Sequence, residues 1–179
     1  MAALRDILVA FLFALGGFSI LSALCPLGWK NWHQSYYAMY LERMSWADAS
    51  EFCETIQSNL VVPNSQAEND FFWRMVVERL ETVTDKGGFW IGCNRESADS
   101  SFVCDGNTEG MSYTNWALGY PQQLGAPRCV LMSKEGNGTW KTNPCVPPKG
   151  KYVVCEKPNT ARVHCLTADE NGRFVNDLP

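Results

Sequence analysis

The sequence predicts an α+β fold, exported and stapled by disulfides. Three observations carry that reading. Apolar residues recur at helical spacing only before residue 88, short β-prone runs dominate beyond it, and all eight cysteines follow an apolar leader. Helices grouped ahead of strands, without alternation, point to α+β rather than α/β. A chain of 179 residues suits one domain.

The leader comes first. Met1 to Asp6 carries Arg5, an apolar run follows from Ile7 to Leu24, and small residues stand at Gly17, Ser19, Ser22 and Ala23. A charged start, an apolar centre and small residues near the cut are the layout of a secretory signal peptide. The run is just long enough to span a bilayer, but Cys25-Pro26 follows at once with no stalk. Cleavage is therefore favoured, with residues 1–24 as the signal, the cut between 19 and 24, and no stable membrane anchor on the product. The expected location is extracellular. About 155 residues remain, enough for one well-buried core.

Composition narrows the function. The net charge is −4, with no basic stripe and no run of like charge, which speaks against nucleic-acid binding and against a disordered tail. An even number of cysteines in an exported chain reads as disulfides. There is no Cys-x-x-Cys pair, and His33 and His164 are the only histidines, so neither zinc nor any other metal or cofactor is expected. Neither histidine lies in a motif, and no nucleophile elbow or phosphate loop is present, so catalysis is not expected.

Along the mature chain, Cys25-Pro-Leu-Gly-Trp29 opens with turn residues, and Tyr36, Tyr37, Met39 and Tyr40 give an aromatic, strand-like stretch. Ser45-Trp-Ala-Asp48 is a capping box, after which Trp46, Ala49, Cys53 and Ile56 share one helical face. A second box, Ser65-Gln-Ala-Glu68, opens a helix that buries Phe71, Phe72, Met75, Val76 and Leu80. Phe89–Cys93, Phe102–Gly106, Cys129–Met132, Thr139-Trp140 and Tyr152–Cys155 are short β runs. Asn107 to Arg128 is rich in Gly, Pro, Asn and Gln, and a long aperiodic stretch in a compact domain marks a binding loop. Cys93 and Cys104 lie on adjacent short strands, so a cross-hairpin bridge is expected. Residues 158–179 read as a polar tail. Asn137-Gly-Thr139 is an N-glycosylation sequon.

Taken in order, Trp46 and Cys53, Ala67-Glu68-Asn69, Trp90-Ile91-Gly92, Tyr113-Thr-Asn-Trp116, and Cys129, Trp140, Cys145 and Cys155 resemble the C-type lectin-like family, over roughly residues 25–157. The resemblance implies a C-type lectin-like fold, two helices packed on antiparallel sheets with a long loop region. It also implies bridges Cys53–Cys155 and Cys129–Cys145. Where relatives with an N-terminal extension place a partner for the opening cysteine, this chain has Tyr36. Cys25 then pairs with Cys165, or one or both bond to another chain and give a disulfide-linked dimer.

Sugar-binding members hold calcium in the long loop through a Glu-Pro-Asn or Gln-Pro-Asp tripeptide, a later Glu and a Trp-Asn-Asp motif. Here Tyr120-Pro121-Gln122, Pro127 and Trp140-Lys141-Thr142 stand at those positions. Calcium relies on carboxylates, none remains, and Lys141 and Arg128 add positive charge. Recognition without calcium is therefore expected. The candidate ligand-binding residues are Tyr120, Gln122, Gln123, Arg128 and Lys141, with a glycan or an extracellular protein as partner. Trp116 and Trp140 are read as packed rather than exposed. An assembly subunit that binds no sugar is the alternative.

Overall fold

The computed structural model describes residues 28–80, 87–105, 111–122, 125 and 127–159, together with the backbone of 166–168 and 174–176. Residues 1–24, expected to be a signal peptide, and Cys25, Cys165 and Gln123 lie outside the described residues.

Strands β1 (Lys30–Trp32) and β2 (Ser35–Met44) form a hairpin, with Trp32 opposite Ser35. Helix α1 (Trp46–Thr55), strand β3 (Asn59–Leu60) and helix α2 (Gln66–Leu80) follow. Then come β4 (Phe89–Arg95), β5 (Val103–Cys104), β6 (Arg128–Met132), β7 (Trp140–Pro144) and β8 (Lys151–Pro158). The strands run β1-β2-β8-β4-β6-β7 across one sheet, with β3 also on β8 and β5 also on β4. The expected sheets were antiparallel, but this one is mixed, because β4 and β8 run parallel where Phe89 meets Tyr152. A parallel pair needs a long connection, and the chain from β5 through β7 supplies it. The segment read as a polar tail contains β9 (Leu166–Ala168) and β10 (Phe174–Asn176), which pair antiparallel.

The main sheet buries both faces, which explains why its central strands read as continuous apolar runs. Alternation divides them. Phe89, Ile91, Tyr152 and Val154 pack with Phe72, Met75 and Val76 of α2. Trp90, Val153 and Cys155 pack with Ala49 and Cys53 of α1. Trp46 and Ile56 of the predicted α1 face are only half-buried, as is Phe71 of α2, which stacks on Trp32 with ring centroids 5.4 Å apart. The Leu80 side chain lies outside the described residues.

Both helices start on a serine. The Ser45 hydroxyl accepts from the Asp48 N–H at 3.3 Å, and that of Ser65 from the Glu68 N–H at 3.2 Å. Glu68 does more than a capping residue. Its carboxylate accepts from the Asn64 N–H at 2.7 Å and from the buried Tyr37 hydroxyl. Tyr37 also donates to Glu156 of β8 at 3.3 Å. Burial pushes the Tyr37 hydroxyl and the Glu156 carboxyl above their ordinary ranges.

Three disulfides join these elements. Cys53–Cys155 ties α1 to β8 across 102 residues, Cys129–Cys145 spans 16, and Cys93–Cys104 links residues directly opposite on β4 and β5, with Cα atoms 4.0 Å apart.

Candidate functional site

The long loop returns to the sheet along β7, the outermost strand. The Trp140 N–H donates to the Asn115 carbonyl at 2.7 Å, and the Ala117 N–H donates to the Trp140 carbonyl at 2.9 Å. Trp140 is fully buried, and its indole N–H donates to Asn69 Oδ1 at 2.9 Å. The Asn69 and Asn115 amides both donate to the Gly138 carbonyl, at 3.3 and 3.0 Å. Trp116 is half-buried between Trp140 and Phe102, with centroids 5.9 and 5.4 Å away. Both tryptophans are therefore packed, Trp140 fully and Trp116 in part.

Beyond them the chain turns. The Tyr120 N–H closes onto the Ala117 carbonyl at 3.0 Å, and Gly119 takes a φ of 81°, a conformation glycine adopts without steric cost. Leu118 at the tip is fully exposed. Sequence reasoning passed over Leu118; its only signal is an apolar residue directly before a turn glycine. Tyr120 is half-buried, and the Tyr120–Pro121 bond is cis.

Gln122 is held through its backbone. Its N–H donates to Thr142 Oγ1 at 3.2 Å, and its carbonyl accepts from Arg95 Nη2 at 2.8 Å. Its side chain is left exposed. Thr142 and Arg95 are both buried, 7% and 4% exposed. Arg95 also donates to the Ala98 carbonyl at 3.5 Å, and its guanidinium lies 5.3 Å from the Phe102 ring centroid.

The sheet register separates the remaining candidates. Arg128 is half-buried, opposite Arg95 on β4 and Pro144 on β7. Beside it Gly125, Pro127, Pro144, Cys145 and Val146 line an open groove of about 380 Å³. Thr142 is paired with Val130, whereas Lys141 is paired with Leu131. Val130 belongs to the core under α2 and Leu131 to the core under α1, so Lys141 lies on the opposite face of β7 from Thr142. The structure thus joins Gln122, Thr142 and Arg95, brings Arg128 alongside Arg95, and leaves Lys141 apart. Arg95 was missed in the sequence, where it stands in the polar stretch that follows the run Phe89–Cys93. The exposed sequon residue Asn137 accepts from the Trp73 indole N–H at 3.1 Å through its Oδ1.

A family model described as the lectin C-type domain matches residues 42–157. The chain belongs to the C-type lectin domain family. Perlucin from Haliotis laevigata is 28% identical over 147 residues, covering 81% of this chain and 90% of that protein. Human lithostathine-1-alpha is 30% identical over 123 residues, covering 68% of this chain and 72% of that protein. A crystal structure of human lithostathine superimposes with a TM-score of 0.68 at 26% identity, covering 81% of this chain and 99% of that one. Similar solved structures include the C-type lectin carbohydrate-recognition domain of a mouse scavenger receptor, 26% identical with a TM-score of 0.60, and nothing in these matches indicates catalysis. Among the described residues, no helix is long and apolar enough to cross a membrane. Among the same residues, no group of three or more His, Cys, Asp or Glu side chains is placed to hold a metal ion.

Proposed function

We propose that this C-type lectin domain is a secreted recognition module that binds a glycan or an extracellular protein without calcium at the family's sugar position. One observation carries the reading. Thr142, at the last position of the family's Trp-Asn-Asp motif, is buried and its hydroxyl already accepts from the Gln122 N–H. That leaves the exposed Gln122 amide and the Tyr120 hydroxyl as the side-chain oxygens at the remaining ligand positions of the family motif, and no carboxylate. Calcium takes six to eight oxygens and depends on carboxylates to offset its desolvation. These residues do not fit the ion. Arg95 and Arg128, opposite each other on β4 and β6, add two positive charges that oppose a divalent cation.

The surface that remains suits hydrogen bonding and apolar contact. Tyr120 and Gln122 follow a turn fixed to β7, with Leu118 exposed at its tip. Arg128 and the groove at Val146 border the same end of the sheet. The test is a glycan array probed with the secreted chain, with and without chelator, alongside calorimetry in millimolar calcium. Binding is expected to survive chelation and to weaken about tenfold in Tyr120→Ala, as the loss of a ring contact and a hydroxyl implies. Saturable calcium binding that disappears on mutating Gln122 and Thr142 would overturn the reading.

A further inference from the structure

We infer that Arg95 is the positioning residue of the ligand turn, its buried guanidinium gripping the Gln122 carbonyl from β4 while Thr142 grips the Gln122 N–H from β7. The inference rests on the calcium-free reading above, and it says what shapes the loop in the absence of an ion.

A charged group that is 4% exposed is costly unless hydrogen-bonded. Here its Nη1 and Nη2 donors reach main-chain carbonyls on two separate excursions of the chain. One is Ala98, in the connection from β4 to β5, and the other is Gln122, in the long loop. Arginine suits this task because its planar fork carries five donors in fixed directions and serves two acceptors at once. The Phe102 ring under the guanidinium closes the space without competing for its donors.

Gln122 is therefore held by side chains from two strands that are not neighbours, since β6 lies between β4 and β7. Fixing both peptide groups of one residue sets the direction of its side chain. It also fixes the path of Pro121 and Tyr120, the residues just before it. A binding surface ordered in advance loses less conformational entropy on contact.

The test is hydrogen exchange, read by mass spectrometry on the full secreted chain in chelator. The amides of Ala117, Tyr120 and Gln122 are hydrogen-bonded, so peptides covering 117–122 report on the turn. Arg95→Gln is expected to speed their exchange at least about tenfold, the scale of a lost hydrogen bond to a charged group. Peptides from β8 and α2 should keep wild-type protection. Arg95→Lys, which retains charge and one direct donor, should fall between. Thr142→Val removes the other grip and should loosen the same peptides, and it decides the matter where Arg95→Gln does not fold. Unchanged exchange over 117–122, or loss of protection spread evenly into β8, would overturn the assignment. Wild-type exchange compared with and without calcium tests the underlying reading separately. Slower exchange over 117–122 in calcium would sink the calcium-free proposal while leaving the Arg95 result to stand on its own.

Discussion

The centre of the sheet and its β7 edge are held together in different ways. Around β4 and β8, main-chain groups are satisfied mostly by ladder bonds, with the Trp46 indole on the Ile91 carbonyl where the β4–β6 ladder is interrupted; apolar side chains alternate between two helix-covered faces, and a disulfide crosses 102 residues. Where the long loop returns along β7, main-chain bonds are supplemented by side chains at particular peptides: Asn69 and Asn115 on Gly138, Thr142 and Arg95 on Gln122. Every buried main-chain donor and acceptor needs a partner. A ladder supplies partners whatever the side chains are, so the core tolerates substitution that keeps its apolar pattern. The loop depends on particular side chains, so its shape is tied to a few identities. That places sequence-specific structure at the proposed ligand face and generic structure where stability is made.

The largest expected effect belongs to the generic region. Replacing Cys53 and Cys155 together by alanine opens a loop of 102 residues and should cost about 4–5 kcal/mol in the chain-entropy account. Denaturant unfolding measures it. A loss below about 1 kcal/mol would mean that the sheet and helices alone hold the two ends of the chain.

Trp140 joins the two regions, with its ring in the core and its indole N–H on Asn69. Trp140→Phe keeps most of the apolar volume but leaves Asn69 Oδ1 without that donor. The expected loss is about 1–3 kcal/mol, and hydrogen exchange should loosen over residues 113–117 as well as in the core. An effect confined to the core would separate the two regions that Trp140 is argued to connect.

The comparison also explains what could be read in advance. The runs Phe89–Cys93 and Tyr152–Cys155 announce buried strands because apolar character needs no partner to be recognised. Serines 45 and 65 announce helix starts because a cap is local. Arg95 could not be read this way. Its role depends on a carbonyl 27 positions away, and in the sequence it stands among polar residues. Lys141 was read as a site candidate and the adjacent Thr142 only as a position of the family motif, and the register with β6 puts the two on opposite faces. Glu68 reads as a capping residue, but its bond to Tyr37 crosses from α2 to β2. Local signals were legible, whereas polar side chains that act across the fold were not.

The smallest expected effect lies where the core gives way to the loop. Asp105 follows β5, its N–H donates to the Gly92 carbonyl at 2.7 Å, and it is half-buried. Burial and the nearby Glu54 charge push its carboxyl up to about 6, against hydrogen bonds from Leu60 and Ser50 that hold it down. In the unfolded chain an aspartate titrates near ~3.9. The folded state therefore binds the proton more tightly. This group's contribution to stability is fully present below about pH 4 and is lost as pH rises through about 6. Asp105→Asn keeps an oxygen for Leu60 and Ser50 and removes the charge. The variant should melt slightly higher than wild type at pH 7, with the advantage shrinking to nothing by pH 4. Solvent screening keeps the difference small, because the group is only partly shielded. Taking variant minus wild type cancels other titrating groups such as Glu156, whose carboxyl is also raised by burial. A melting difference independent of pH would show that Asp105 acts through its hydrogen bonds alone. The edge of the loop would then be neutral to charge, unlike the Arg95 position, where a buried charge is what holds the chain.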